Sequence, residues 1–121
     1  MPFDDDPDHA IIDRPFEYEI VEFCYHNDPD NSWNTYLDLT LRRGTTVRRL
    51  RFLQPQELEL QKGFPRPTGG MCILDVRRRQ LDGIKVRVAD FEASWGKVTF
   101  WARDVLDLDS EGRTEGASGE V

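Results

Sequence analysis

The sequence predicts a mainly antiparallel β protein, a sandwich or partly closed barrel of about seven or eight strands. Three observations carry this. Apolar residues recur at every second position in several short runs. Clusters of Gly, Pro, Asn and Asp separate those runs. No stretch shows a twelve-residue amphipathic helical pattern. An α+β arrangement with one short helix is the alternative.

Order begins near Pro15, after an acidic, Pro-containing segment over residues 1–14 that reads as a flexible arm. Phe16, Tyr18 and Ile20 alternate with Glu17 and Glu19, then Val21, Phe23 and Tyr25 continue on the opposite phase. One extra residue in a bulge produces that phase change. The run from Asn27 to Ser32 is dense in turn formers and ends the strand.

Trp33, Thr35, Leu37, Leu39 and Leu41 then form the clearest half-buried strand, with Trp33 read as a core residue. Arg43-Gly44-Thr45 supplies a tight reversal, because Gly accepts the positive φ that hairpin loops need. The return strand places Leu50 and Phe52 inward and Val47, Arg49 and Arg51 outward. After Pro55, Leu58 and Leu60 suggest a short edge strand. Residues 63–70 are too rich in Pro and Gly for regular structure.

Met71 to Val76 is a compact apolar run suited to a central strand, and Arg77 to Gly83 reads as one helical turn closed by Gly. Ile84, Val86 and Val88 alternate with Lys85, Arg87 and Ala89, and Val98, Phe100 and Ala102 with Lys97, Thr99 and Trp101, so the two runs predict an antiparallel hairpin. Val105, Leu106 and Leu108 suggest a closing strand before a disordered tail over residues 110–121. The expected organisation is therefore a single β-rich domain over residues 15–109. Its expected core is Leu37, Leu39, Leu41, Leu50, Phe52, Ile84, Val86, Val88, Val98 and Phe100.

At 121 residues the chain can bury on the order of 65% of its unfolded surface, enough for one real core. No apolar run approaches the ~18 residues of a membrane span, and the N-terminus lacks a secretory pattern. A cytoplasmic address and no membrane partner are expected. Cys24 and Cys72 lie in apolar runs and read as structural thiols.

Charge is segregated along the chain. Residues 1–32 carry a net −9, residues 33–103 a net +7 and residues 104–121 a net −5, within a total of −7. Arg outnumbers Lys thirteen to three, and guanidinium forks suit carboxylates and phosphates. The candidate binding surface comprises Arg42, Arg49, Arg51, Arg77, Arg78, Arg79, Lys85 and Arg87, with Trp95 and Trp101 as aromatic anchors. The opposing reading pairs these Arg with Glu17, Glu19 and Glu22, so that acidic ends neutralise a basic middle.

Motifs for chemistry are absent. The two histidines, His9 and His26, form no zinc-ligand pattern, and His26 with Asp28 and Asp30 lacks the ligand number of a calcium loop. No nucleophile elbow or phosphate-binding loop occurs. Asp75, Asp82 and Asp90 lie at predicted strand ends, where turn roles explain them without catalysis. Neither a catalytic residue, a metal nor a cofactor is expected.

One stretch has a family resemblance. Ile73-Leu74-Asp75-Val76-Arg77-Arg78-Arg79-Gln80-Leu81-Asp82-Gly83-Ile84-Lys85-Val86-Arg87-Val88 resembles a segment of small uncharacterised bacterial proteins. In those an Asp-Ile/Val strand enters a polar Arg-Gln turn, then an acid, Gly and a second strand. The match continues through Asp90-Phe91-Glu92 to Val98-Thr99-Phe100-Trp101-Ala102-Arg103-Asp104-Val105, so it spans residues 73–105. Some of these proteins look like immunity proteins that neutralise a neighbouring toxin. The resemblance implies protein binding without catalysis.

The expected function is thus a non-enzymatic bacterial protein-interaction domain, immunity-type or self-associating. Two alternatives remain: a single-stranded nucleic-acid-binding barrel, and a small-ligand-binding barrel or unrecognised enzyme. The net charge opposes attraction to nucleic acid.

Overall fold

The computed structural model describes residues 7–61, 71–90 and 98–109. Among the described residues, eight strands form two four-stranded antiparallel sheets that do not close into a barrel. The first sheet has the order β1-β2-β3-β8 and contains β1 (Glu19–His26), β2 (Tyr36–Arg43), β3 (Thr46–Leu53) and β8 (Asp104–Asp107). The second has the order β4-β7-β6-β5 and contains β4 (Gln56–Leu60), β5 (Met71–Asp75), β6 (Val86–Asp90) and β7 (Val98–Ala102). The all-β sandwich expected from the alternation is the observed architecture, and the α+β alternative is set aside. Where a helical turn was expected, Arg77–Arg79 forms a single 3₁₀ turn.

Alternation dictates which residues face inward, because successive side chains leave a strand on opposite sides. Leu37, Leu39 and Leu41 on β2 stand opposite Phe52, Leu50 and Arg48 on β3, and the Leu and Phe side chains are buried. Val86 and Val88 pair with Ala102 and Phe100, again buried. The sheets meet at an edge-to-face contact between Phe52 and Phe100, with centroids 4.9 Å apart and planes at 87°. Such pairs add roughly 0.5–1.5 kcal/mol beyond simple burial. Every expected core residue except Ile84 is buried. Ile84 instead bridges back to Leu81 in a turn and is half-buried.

The bulge expected in the first strand is present. Register shifts between Ile20 and Glu22, so Ile20, Phe23 and Tyr25 all stand opposite inward-facing leucines of β2. Gly44, at φ 61, opens the two-residue loop between paired Arg43 and Thr46. The thiols differ from expectation: Cys24 is exposed and Cys72 half-buried, and both are free. Cys24 faces out because the bulge puts it opposite Asp38 on the outer side of β2.

Two segments depart from the sequence reading. Residues 7–14 are not a loose arm. His9 N–H donates to the Ile73 carbonyl at 2.8 Å, Asp75 N–H donates to the Pro7 carbonyl at 2.8 Å, and Asp8 bridges Leu74. The segment so covers the open edge of β5, and Ile12 joins the core at 4% exposure. Few apolar groups are needed when backbone hydrogen bonds to a sheet edge do the docking.

The second departure is Trp33. Ser32–Asn34 is a 3₁₀ turn whose N-cap Asn31 accepts the Trp33 N–H through its side chain at 3.1 Å. This cap ends the strand phase at Thr35 and turns the indole out to 63% exposure. No helix among the described residues is long and apolar enough to cross a membrane.

Candidate functional site

The chain changes sheets twice at the same end of the sandwich. It passes from β3 to β4 through Gln54 and Pro55, and from β7 to β8 through Arg103. Arg103 N–H donates to the Leu53 carbonyl at 2.8 Å, tying the two crossings together. The Arg77–Ile84 loop, which joins β5 to β6, arrives at this end as well.

There the loop and β4 enclose a cleft of about 280 Å³ lined by Gln56, Glu57, Arg79, Leu81, Ile84 and Trp101. Trp101 lies on the outward side of β7, in register with Gln56 on β4 and Arg87 on β6. The Arg87 guanidinium sits over its ring, 4.8 Å from the centroid. A cation over an indole face fixes the ring and brings positive charge to a mainly apolar surface. Gln56 and Glu57 come from the β4 side, while Arg79, Leu81 and Ile84 come from the loop.

The loop is held in an uncommon conformation. Arg77 clasps Asp75 through Nη2 at 2.6 Å and through Nε and its own backbone N–H, and Arg79 N–H donates to the Val76 carbonyl at 3.0 Å. The Arg77 side chain and backbone bonds, set against a smaller effect of burial, hold the Asp75 carboxyl below the usual carboxylate range. Gln80 and Asp82 both have φ 55, Gly83 has φ 91, across the cleft Glu57 has φ 55, and Gln54, bonded to the Ser32–Thr35 turn, has φ 48. Left-handed conformations cost non-glycine residues on the order of 1–3 kcal/mol each, and they collect where structure is shaped for function. Of the five such residues among those described, Glu57 lines this cleft, and Gln80 and Asp82 adjoin its lining residues Arg79 and Leu81.

Trp33 stands beside it. The Arg103 guanidinium stacks 4.2 Å from the centre of its ring. The Nη1 of Arg103 also lies 3.7 Å from where a Cβ on Gly83 would stand, so Arg103 links Trp33 to the loop. Among the described residues, Arg103 and Lys85 have no carboxylate within ion-pairing distance.

The basic residues singled out by sequence divide between two surfaces. Arg79, Arg87 and Trp101 are brought together at the cleft, with Arg77 and Arg78 on the adjoining turn and Lys85 exposed beside Ile84. Arg42, Arg49 and Arg51 belong to the other sheet and are engaged there. Arg42 meets Glu19 at 3.6 Å, Arg49 meets Asp109 at 2.7 Å, and Arg51 clasps Asp38 at 2.8 and 2.9 Å while stacking 3.8 Å over Tyr36. Arg43–Glu17 and Arg48–Asp107 continue the series. Apart from Arg51–Asp38, which lies towards the other end of the hairpin, these pairs gather towards the Gly44 turn, so acidic residues from both ends of the chain neutralise the far end of the sandwich. Trp95 lies outside the described residues.

The remaining polar groups have structural tasks. Asp28 accepts the N–H groups of Asp30 and Asn31 and the Asn34 side chain, which together hold its carboxyl below the usual range. His26 stacks on Tyr36 with ring centroids 4.7 Å apart. Asp75 and Asp90 sit at opposite ends of the β5–β6 pair, opposite Val86 and Met71 respectively. Burial, with nearby Asp8 and Asp90, pushes the Cys72 thiol up to about 11, which opposes its acting as a nucleophile at neutral pH. No group of three potential metal ligands occurs among the described residues.

Sequence reasoning missed Trp33 and Arg103. The signal for Trp33 was the Asn31-Ser32 cap just before it, and that for Arg103 was a lone cation between two strands. Comparison with known proteins finds no matching family model, no matching curated protein and no matching solved structure.

Proposed function

We propose that this chain is a protein-interaction domain that binds its partner through the end of the sandwich bearing Trp33, Arg103 and the Trp101 cleft. The observation that carries the reading is Trp33, 63% exposed on a capped turn and held by the Arg103 guanidinium. A large exposed indole costs solvation and has little reason to be fixed in water. Fixed before binding, it loses little freedom on contact, and Trp and Arg are the residues that most often dominate interface energies.

The same end carries Arg103 and Lys85, which meet no carboxylate among the described residues, whereas Arg42, Arg43, Arg48 and Arg49 at the other end are matched by carboxylates. An acidic partner surface suits that asymmetry. The net charge of −7 weighs against a polyanion such as nucleic acid as the partner. In its sharpest form the reading is an immunity-type protein whose partner is a toxin encoded beside it.

The test is affinity purification of a partner from the source cells, with its affinity then measured for variants. Trp33→Ala combined with Arg103→Glu should weaken binding at least tenfold, about 1.4 kcal/mol. Reversal of Arg42 and Arg49 should change it far less. Unaltered binding by the Trp33/Arg103 variant would overturn the reading.

A further inference from the structure

We infer that the Trp101 cleft is the seat for one bulky apolar side chain of the partner, from a segment in which a carboxylate adjoins that side chain. The inference rests on the protein-binding reading above and specifies the chemistry that the partner presents.

Size decides first. Pockets for whole small molecules run from roughly 300 to 1,000 Å³. At about 280 Å³ and open to solvent, this cleft falls just below that range and suits a single Leu, Met or Phe side chain. Its lining then decides the character of the guest. Leu81 and Ile84 offer aliphatic walls and Trp101 offers an indole, so the centre favours an apolar group. Leu81 is itself 37% exposed, leaving apolar surface to be covered on binding.

Charge sets the direction. The loop wall carries Arg79, with Lys85 close by in sequence and Arg77 already clasped by Asp75, and Arg87 lies over Trp101. The opposite wall, from β4, carries Gln56 and Glu57. A carboxylate next to the apolar side chain would meet the cationic wall and would be repelled from Glu57. Backbone N–H groups of the same segment would suit the acceptors on the β4 side. A cleft lined by the Arg79 cation on one wall and the Glu57 carboxylate on the other therefore selects orientation as well as composition.

A library of random short peptides displayed on phage, selected against the immobilised full-length chain, tests this without knowledge of the partner. The expected consensus pairs one Leu, Met or Phe with an adjacent Asp or Glu. A selected synthetic peptide should shift the Trp101 indole resonance in ¹⁵N spectra. Leu81→Asp, at an exposed position that should not disturb folding, should weaken it at least tenfold. Arg79→Gln should keep the apolar preference and lose the acidic one. Absence of enrichment, a consensus without the apolar–acidic pair, or equal binding to Leu81→Asp would each overturn the inference. With the natural partner, full binding by Leu81→Asp but not by the Trp33/Arg103 variant would remove the cleft while leaving the interface. Full binding by both would remove both.

Discussion

At the scale of single residues, His9 shows how a polar side chain anchors backbone. Its Nδ1 accepts the Ile11 N–H at 3.1 Å, which requires that nitrogen to be unprotonated. Burial, only partly opposed by Asp75 and Asp104 and reinforced by Arg77, lowers its pKa below 6.5. A base with a depressed folded-state pKa binds fewer protons folded than unfolded, so its contribution to stability is full above about pH 6.5 and declines as pH falls from there towards the folded value. The chain should thus melt at a lower temperature at pH 5.5 than at pH 7.5, and His9→Gln should shrink that difference. Equal differences in both proteins would show that His9 is not the group responsible. The thiols give a second prediction. Cys24 is exposed, whereas Cys72 is half-buried with its pKa at about 11. At pH 8 only about one Cys72 in a thousand is thiolate. Mass spectrometry of the folded chain after brief iodoacetamide treatment should find the label on Cys24, and substantial labelling of Cys72 would contradict its burial.

At the scale of elements, alternation made most strands legible because one face of each packs on the opposing sheet. Leu37, Leu39 and Leu41 announce β2, and Phe52 and Phe100 announce the contact between layers. The bulge at Val21 was visible as a phase change, since only an inserted residue returns Phe23 and Tyr25 to the inner side. Trp33 was misread because period two alone does not say where a strand starts; the Asn31 side chain settles that through a local hydrogen bond. Residues 7–9 were misread because edge docking uses backbone groups, which composition does not reveal. The candidate site was half legible: Arg79, Arg87 and Trp101 were named, but their separation from Arg42, Arg49 and Arg51 depends on which sheet each strand joins. Leu39→Ala should cost about 2–5 kcal/mol in denaturant melts, given complete burial. Removing residues 1–9 should lower stability as well and raise concentration-dependent association, by uncovering the β5 edge. Sedimentation that stays monomeric to the same concentration as the full chain would show the edge to be protected otherwise.

At the scale of the whole molecule, charge is arranged by end. Carboxylates of Glu17 and Glu19 from one part of the sequence and Asp107 and Asp109 from another meet Arg42, Arg43, Arg48 and Arg49 near the Gly44 turn. The acidic flanks of the sequence were thus half of an internal neutralisation, and Arg103 and Lys85 remain at the opposite end. These pairs are partly exposed, and each contributes no more than about 1 kcal/mol. Raising ionic strength should accordingly lower the melting temperature only slightly, whereas it should slow partner association markedly, because long-range steering is screened. Stopped-flow association rates that are flat with salt would argue against an acidic partner surface.

The double crossing between sheets also orders events in time. β1, β2 and β3 follow one another as a meander with neighbouring partners, so their pairing closes only short loops. β8, which completes the same sheet, lies beyond β4 to β7, so pairing it with β3 before the other sheet forms closes a far longer loop. Short loops close before long ones because the entropy of closure grows with chain length. The meander is therefore the early element of folding and β8 the latch that fastens last. Pulsed hydrogen exchange during refolding should protect amides of β2 before those of β8, and a chain cut before Asp104 should gain β structure yet fail to hold it.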